Sequence, residues 1–201
     1  MLRCLVSLAL TLATLPFLAQ ERPTYGVSID GQKVYSLAAP GTKAVVLFFV
    51  ATDCPISNRT FPEMKRLREE FTSRRVRFWF VYPNKGEQPE QVAQHQTAFD
   101  ADGEAVLDVA GTLVEISGAR VTPEVSVLVP VGTAGWRPVY TGRIDDRYVR
   151  IGEERPHATI HFAERTVNAV LNGGHVETAT GVPVGCGIIS QGATAARSLI
   201  R

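Results

Sequence analysis

One cysteine of this chain stands where protein architecture makes a thiol reactive. Cys54 follows a strongly apolar run, residues 43–50, and precedes a segment whose apolar residues recur with the period of a helix. A buried strand that ends in this way delivers the cysteine to the first turn of a helix, whose N-terminus stabilises negative charge. A thiol is nucleophilic only as its thiolate, so the position favours a nucleophilic sulfur at Cys54.

The neighbours of Cys54 act on the thiol in different directions. Pro55 suits a first helical turn, where its missing N–H needs no partner. Ser57 can donate a hydrogen bond to a sulfur one turn back, but it cannot resolve a mixed disulfide. Asp53 opposes activation, because a nearby carboxylate disfavours the thiolate. The alternative interpretation is that Cys54 is a small buried residue without chemistry.

Residues 1–20 have the composition of a secretory signal. Arg3 precedes an apolar stretch that is too short to span a bilayer comfortably, and polar residues follow it. We therefore predict a periplasmic or secreted protein that meets the membrane only transiently, through this segment. An uncleaved membrane anchor is the alternative. Cys4 lies before the apolar stretch and leaves the mature protein if the signal is removed.

Two cysteines then remain, in a compartment that permits disulfides. They are Cys54 and Cys186, and the second lies in a tail, residues 173–201, that follows the predicted domain at residues 24–172. Cys186 is the candidate to resolve a disulfide formed on Cys54. A bridge between the two would be redox-active if exposed and strained, or structural if buried, and the sequence leaves both interpretations open.

The rest of the composition excludes several classes of function. The 21 basic and 20 acidic residues nearly cancel, and no basic cluster recurs along one face, so we predict no nucleic-acid partner. An apolar content of 45% is ordinary for one globular domain. His157 and His161 have a spacing that can bind metal, but no cysteine or carboxylate accompanies them at a matching spacing. We predict no metal and no cofactor.

The order of predicted elements indicates an α/β fold. A hairpin that turns at Asp30 and Gly31 comes first, strands and helices then alternate, and an antiparallel pair and a helix close the domain. Strands are predicted at residues 43–50, 76–82, 124–129 and 137–141, and helices after Cys54, at 90–101, within 105–116 and at 159–171. Strands that alternate with helices and end in an antiparallel pair predict a central mixed β-sheet flanked by helices.

This order, together with three local motifs, resembles the thioredoxin fold. The strand followed by Ala-Thr-Asp-Cys-Pro-Ile-Ser is similar to the Cys-x-x-Cys site of that superfamily, with Ser57 in place of the second cysteine. Pro62 falls where these proteins carry a proline that kinks the first helix. Thr122 and Pro123, immediately before a strand, resemble the cis-proline loop that faces the active cysteine.

Two further segments narrow the resemblance, which covers roughly residues 24–171. The N-terminal β-hairpin and the inserted helical segment between residues 80 and 120 are similar to exported thiol-disulfide oxidoreductases of the cytochrome-maturation type. They are also similar to the alkyl hydroperoxide reductase/thiol-specific antioxidant (redoxin) group. Bacterial redoxin-domain proteins with Asp-Cys-Pro-Ile, Gly-Arg-Ile-Asp-Asp and a late Gly-Cys resemble this chain as well.

Three departures separate the chain from other members of the superfamily. Peroxiredoxins place a proline and a threonine or serine before their cysteine, at positions that are Leu47 and Ala51 here. Copper-delivery relatives need a second cysteine where this chain has Asn58, and the haem-attachment motif Cys-x-x-Cys-His is absent. Peroxidase chemistry of the standard type, copper delivery and haem attachment are therefore not expected.

The resemblance implies a thiol-disulfide oxidoreductase. Cys54 would attack a disulfide or an oxidised thiol, and Cys186 would resolve the product. The backbone at Thr122 and Pro123 would hold an extended segment of a protein thiol or disulfide partner. Two alternatives remain: a non-catalytic thioredoxin-like binding module with a structural Cys54–Cys186 disulfide, and an atypical thiol peroxidase that uses Cys54.

Overall fold

A six-stranded mixed sheet forms the centre of the protein. The computed structural model describes residues 24–101, 103–132, 135–178 and 180–189, so the predicted signal lies outside the described residues. The strands are β1 (Val27–Ser28), β2 (Ala44–Phe49), β3 (Val76–Tyr82), β4 (Glu104–Leu107), β5 (Val121–Thr122), β6 (Glu124–Val131), β7 (Gly135–Gly142), β8 (Tyr148–Arg150), β9 (Glu153–Glu154) and β10 (Cys186–Gly187). The helices are α1 (Pro55–Phe71), α2 (Pro89–Ala98), α3 (Thr112–Ser117) and α4 (Phe162–Asn172), and a 3₁₀ turn covers Thr72–Arg74.

Neighbouring strands of the large sheet follow the order β1-β4-β3-β2-β6-β7. The three central strands β4, β3 and β2 are parallel, whereas β1, β6 and β7 pair antiparallel with their neighbours. Two small sheets stand apart from it, one formed by β5 and β10 and the other by β8 and β9. This is the mixed, helix-flanked sheet that the element order predicts.

Both faces of β2 are buried, because helices or loops cover the sheet on each side. Val46 and Phe48 pack into one core cluster with α1, α2 and α4, while Val45, Leu47 and Phe49 pack into a second cluster with α3 and the N-terminal hairpin. Successive side chains of a strand point to opposite faces, so a strand between two cores is apolar at every position. The uninterrupted apolar run before Cys54 has this cause.

The segments that form the candidate site lie together at one end of the central strands. The parallel strands β2 and β3 both end there, and their loops carry Cys54 and Glu87. β6 runs antiparallel to β2, and its first residue, Glu124, lies opposite Phe49, the last residue of β2. The Thr122–Pro123 peptide that precedes β6 therefore lies at the same end of the sheet as Cys54.

The N-terminal segment forms the predicted hairpin. Its chain reverses at Gly31, which has a φ of 76° and donates its N–H to the carbonyl of Ser28. A φ in this range favours glycine, which explains the Asp-Gly pair. The Tyr25 N–H donates to Val34, and the Val34 N–H donates to Gly26. Beyond the hairpin itself, β1 adds to the large sheet beside β4.

The last helix begins later than residue 159, where the sequence predicts it. The carboxylate of Asp146 accepts hydrogen bonds from the N–H groups of Thr159, at 2.7 Å, and Ile160, at 2.9 Å. Helix α4 itself starts at Phe162, beyond the two residues that Asp146 binds. It ends as predicted, with Gly173 at a φ of 67° beyond the last helical residue. The polar loop before it contains the short β8–β9 hairpin.

None of the helices within the described residues has the length and apolar character needed to cross a bilayer.

Candidate active site

Cys54 stands at the N-terminus of α1 with its side chain fully buried. Its own backbone is extended, and Pro55 is the first helical residue. The Cys54 carbonyl accepts the first hydrogen bond of the helix, from the Asn58 N–H at 3.0 Å. The thiol therefore lies at the positive end of a 17-residue helix, which favours its ionised form.

A carboxylate on the neighbouring loop holds the segment before Cys54. The Thr52 N–H donates to one oxygen of Glu87 at 2.8 Å, and the Asn84 N–H donates to the other at 3.2 Å. Burial raises the pKa of Glu87, the two N–H donors oppose that rise, and Asp53 adds to it. Glu87 thus ties the loop after β2 to the loop after β3 and fixes the approach to the cysteine.

A row of hydrogen-bonded polar side chains supports the first turn of α1. His95 of α2 lies between the hydroxyl of Tyr82, at 2.9 Å from its Nδ1, and the side-chain oxygen of Asn58, at 2.8 Å from its Nε2. Burial lowers the pKa of His95, so the ring is neutral at pH 7 and bridges its two partners. The sequence alone does not indicate a role for Glu87 or His95, since their partners lie on other elements.

The Thr122–Pro123 peptide is cis and faces Cys54. The Cys54 thiol donates to the carbonyl of Thr122, with 3.0 Å between sulfur and oxygen. Glu124 fixes this loop from the other side, because its carboxylate accepts the N–H groups of Arg120, at 2.7 Å, and Val121, at 3.2 Å. The loop thus presents backbone groups directly beside the sulfur.

The C-terminal tail brings Cys186 to the same place. Strand β10 pairs antiparallel with β5, and Cys186 stands opposite Thr122 in the register. The two thiols are free and lie near each other, close enough for the Cys186 thiol to lower the pKa of Cys54. Cys186 is partly exposed, whereas Cys54 is not. A residue more than a hundred positions along the chain is therefore the thiol neighbour of Cys54, in place of the missing cysteine at position 57.

The environment differentiates the two thiols. Burial opposes the Cys54 thiolate. The Cys186 thiol, then the Ser57 backbone and the nearby side chains of Thr122 and Ser57, outweigh burial and hold the pKa of Cys54 below its ordinary value. The Thr122 carbonyl acts the other way, since it accepts a hydrogen bond only from the protonated thiol. Burial, and then the proximity of Cys54, raise the pKa of Cys186. Cys54 is therefore the thiol that ionises first.

Two hydroxyl groups beside the Cys54 sulfur are available to donate a hydrogen bond. Those of Ser57 and Thr122 are buried, and neither forms a hydrogen bond within the described residues. Both side chains favour the ionised form of Cys54. A buried hydroxyl without a partner is costly, so a thiolate that accepts from it gains more than it would from a solvated group.

All five residues singled out in the sequence meet at one point. Cys54, Ser57, Thr122, Pro123 and Cys186 converge at the N-terminus of α1. Pro62 lies inside α1, where the resemblance places the kink proline. Gly185 also lies here, against the Thr122 carbonyl, and its position is not apparent from the sequence.

The histidines considered for metal binding lie away from this site. Ligand atoms of Glu63, His161 and Glu164 lie within 4.8 Å of one another. The guanidinium of Arg66, however, donates to the carboxylates of both Glu63 and Glu164. A cation is already present among these groups, and we assign no metal to them.

The fold and the site define a thioredoxin-like protein, and comparison with known proteins identifies its family. Residues 18–131 match the AhpC/TSA family, and the chain belongs to that family. The family and the fold give the protein a general redox role as a thioredoxin-like redoxin. No curated protein sequence matches the chain.

Solved structures share the fold at low sequence identity. An uncharacterized conserved protein from Geobacillus kaustophilus is 20% identical, with a TM-score of 0.63 over 89% of this chain and 94% of that one. A hypothetical protein from Sinorhizobium meliloti is 18% identical, with a TM-score of 0.64 over 86% and 96%. An uncharacterized thioredoxin-like protein from Porphyromonas gingivalis is 18% identical, with a TM-score of 0.50 over 74% and 90%.

Proposed function

We propose that this redoxin is an exported thiol-disulfide oxidoreductase in which Cys54 is the nucleophile and Cys186 the resolving thiol. One observation carries the proposal: a buried thiol at a helix N-terminus bonds to the Thr122 carbonyl, and the tail places a second thiol opposite the same residue. Residues 24–172 form the catalytic domain, and the tail that follows supplies Cys186. The Thr122–Pro123 backbone serves as the edge along which a protein substrate lies.

The proposed reaction begins at Cys54. Its thiolate attacks one sulfur of a disulfide R–S–S–R′, so that a Cys54–S–S–R bond forms and R′S⁻ leaves and takes up a proton. Ser57 and Thr122 donate to the sulfur while it is charged and release it when the new bond forms. Glu87 and Glu124 do not react; they hold the two loops at the distance that the attack needs.

Cys186 completes the reduction of the substrate by attacking the Cys54 sulfur. The Cys54–Cys186 disulfide forms, and RS⁻ leaves and is protonated, so the substrate gains the two electrons that the dithiol loses. The negative charge of Cys54 that disfavours the Cys186 thiolate is absent from the mixed disulfide. Cys186 therefore ionises more readily at the stage where its thiolate is needed. Run in reverse, the same steps oxidise a dithiol substrate.

The experiment counts the thiolate released when the reduced protein meets dithiobis-nitrobenzoate, a small aromatic disulfide. All variants carry Cys4→Ser, so that only the two site thiols react. The parent releases two equivalents and keeps no adduct, because Cys186 resolves the mixed disulfide. Cys186→Ser releases one equivalent and retains the aromatic thiol on Cys54 by mass. Cys54→Ser reacts on the order of 100-fold more slowly, since the remaining thiol is mostly protonated.

Different results would replace the proposal. An adduct that persists on Cys54 in the parent would show that Cys186 does not resolve it. Unreactive thiols in the folded parent, together with a constitutive Cys54–Cys186 bond in the isolated protein, would make the domain a binding module. Consumption of hydroperoxide that disappears in Cys54→Ser, without disulfide exchange, would make it a peroxidase.

A further inference from the structure

The tail occupies the backbone edge that a protein substrate would need. Strand β10 lies antiparallel along β5, with Cys186 opposite Thr122 and Gly187 opposite Val121. The pairing continues one residue further, where the Ile188 N–H donates to the carbonyl of Arg120 at 2.9 Å. A sheet edge that already carries a strand cannot pair with another one.

A close backbone contact seats the tail against the cis-proline loop. A Cβ added to Gly185 would lie 2.2 Å from the Thr122 carbonyl oxygen and 3.1 Å from the Pro123 nitrogen. Both neighbours are backbone atoms of a buried loop, so neither can move aside cheaply. Only glycine permits the approach at this position. At Gly187, two residues on, an added Cβ meets nothing within 4 Å.

The tail then crosses from the cis-proline loop to the loop after β3. The Ile189 N–H donates to the side-chain oxygen of Asn84 at 3.0 Å, and the Lys85 N–H donates to the Ile189 carbonyl at 3.1 Å. These two loops flank Cys54, whose side chain is 0% exposed. The tail therefore closes the site from one wall to the other.

Few contacts hold the tail in this position. Strand β10 is two residues long, and Val182 and Ile189 expose 76% and 67% of their surface. The main anchors are backbone hydrogen bonds and the partly buried side chain of Ile188, which packs on the second core cluster. Segments with so few buried apolar contacts open at a low cost in free energy.

We infer that the tail segment 184–189 is an internal occupant of the β5 edge, which makes the resting site selective for small disulfides and closed to extended polypeptides. Gly185 is the specificity-determining residue, since any side chain at this position would meet the Thr122 carbonyl and keep the tail from seating. An extended polypeptide that carries a disulfide gains the edge only when the tail leaves it. This inference rests on the proposed function for its chemistry, but the occupancy of the edge is a matter of binding.

The test is a binding measurement that involves no sulfur chemistry. The probe is a fluorescent peptide with the sequence of residues 182–189 and serine at the position of Cys186. Gly185→Ala unseats the tail, so the peptide binds this variant on the order of tenfold more tightly than the parent. Iodoacetamide modifies Cys54 faster in the same variant. Gly187→Ala, which adds the same methyl group in open space, leaves both values at those of the parent.

A second peptide and a second variant complete the design. The same peptide with alanine at the Gly185 position should not bind, because its own methyl group meets the Thr122 carbonyl. Ile188→Pro removes the N–H that donates to Arg120 and gives a second unseated tail, which decides the matter if Gly185→Ala fails to fold. Unchanged peptide affinity and unchanged alkylation in the folded variants would overturn the inference.

The two proposals fail in distinguishable ways. Tighter peptide binding by Gly185→Ala, without disulfide exchange by the parent, rejects the oxidoreductase and keeps the occupied edge. Exchange by the parent, with peptide affinity unmoved by either tail variant, rejects the occupied edge and keeps the oxidoreductase. In the proposed case, the ratio of polypeptide to small-disulfide turnover rises in Gly185→Ala and stays at the parent value in Gly187→Ala.

Discussion

The framework around Cys54 and the tail around Cys186 meet in one site, but different kinds of contact hold them. The framework consists of β2, α1 and the strands beside them; β2 is buried at every position, and α1 buries an apolar face against the sheet. The tail, residues 180–189, has a two-residue strand and mostly exposed or half-exposed side chains. We therefore expect that displacing Cys54 requires unfolding of the domain, whereas local opening is enough to displace Cys186.

This difference suits the two roles proposed for the thiols. A nucleophile needs fixed donors around it, and Ser57, which supplies one at Cys54, belongs to the buried part of α1. A resolving thiol must approach one sulfur and then give way to a substrate, so it belongs on a segment of low local stability. The following predictions test whether the framework and the tail are separate in energy.

The largest effect on stability is expected when a buried side chain of the framework is truncated. Phe61 of α1 is 1% exposed, and its ring stacks on those of Phe80 and Phe99, each with centroids 5.3 Å apart. Phe61→Ala leaves a cavity beneath the first turns of α1, and we expect the free energy of unfolding to fall by about 3–4 kcal/mol. Denaturation in urea measures the loss.

Val182→Ala in the tail is the matched comparison for Phe61→Ala. This side chain is 76% exposed, so its truncation should leave the free energy of unfolding within about 0.5 kcal/mol of the parent. A loss at Phe61 as small as the one at Val182 would contradict the view that the framework carries the stability of the site.

A second prediction concerns Asp146, which orders the loop that borders the tail. Hydrogen bonds from Thr159 and Ile160 and the nearby charge of Arg155 overcome the effect of burial and lower the pKa of Asp146 from 3.8 to about 2. A lowered carboxyl pKa stabilises the fold above the unfolded value, and that stability is lost as the pH falls from about 4 toward 2. Asp146→Asn should cost about 2 kcal/mol at pH 7 and little at pH 2.

The adjacent residue, Asp145, is a control because its pKa is shifted in the opposite direction. Burial, and then the charge of Glu63, raise the pKa of Asp145, so its ionisation opposes folding as the pH rises. Asp145→Asn keeps an oxygen to accept the Arg147 N–H and should therefore leave stability at pH 7 unchanged or higher. Urea denaturation at several pH values compares the two variants. Equal losses from both would show that the hydrogen bonds at Asp146 do not hold the loop.

The framework is the part of the fold that its sequence predicts best. Strand β3 covers residues 76–82, the same residues as its mostly apolar run in the sequence. The two coincide because the buried length of a strand sets the length of the apolar run. The position of Cys54 at the start of α1 could also be predicted, because the apolar pattern of the strand ends before it and the helical pattern begins after it. The resemblance also places Pro123 beside the cysteine, as the structure does.

Contacts that join distant parts of the chain were much harder to predict. Nothing in the two-residue strand Cys186–Gly187 indicates that Cys186 pairs with Thr122, since so short a segment has no period. The same is true of Glu87, whose partners Thr52 and Asn84 belong to two loops. The segment before α4 is held at Thr159 by a carboxylate that lies 13 residues earlier in the chain. Each of these features is set by tertiary packing rather than by local pattern.

The smallest effect is expected where the tail meets the loop after β3. Asn84→Ala removes the acceptor of the Ile189 N–H while the backbone of residue 84 stays bound to Glu87. One exposed hydrogen bond contributes about 1 kcal/mol, so the Ile189 amide should exchange with solvent about fivefold faster. The free energy of global unfolding should not change measurably, because opening the tail does not expose the core.

Lys85→Ala is the control for that exchange experiment, since the Lys85 N–H still donates to the Ile189 carbonyl after the side chain is removed. Its Ile189 amide should exchange at the parent rate. A fall in global stability in Asn84→Ala as large as its local effect would mean that the tail opens only when the framework unfolds. The tail would then be part of the core, Cys186 could not leave Cys54, and the β5 edge would stay closed to every polypeptide.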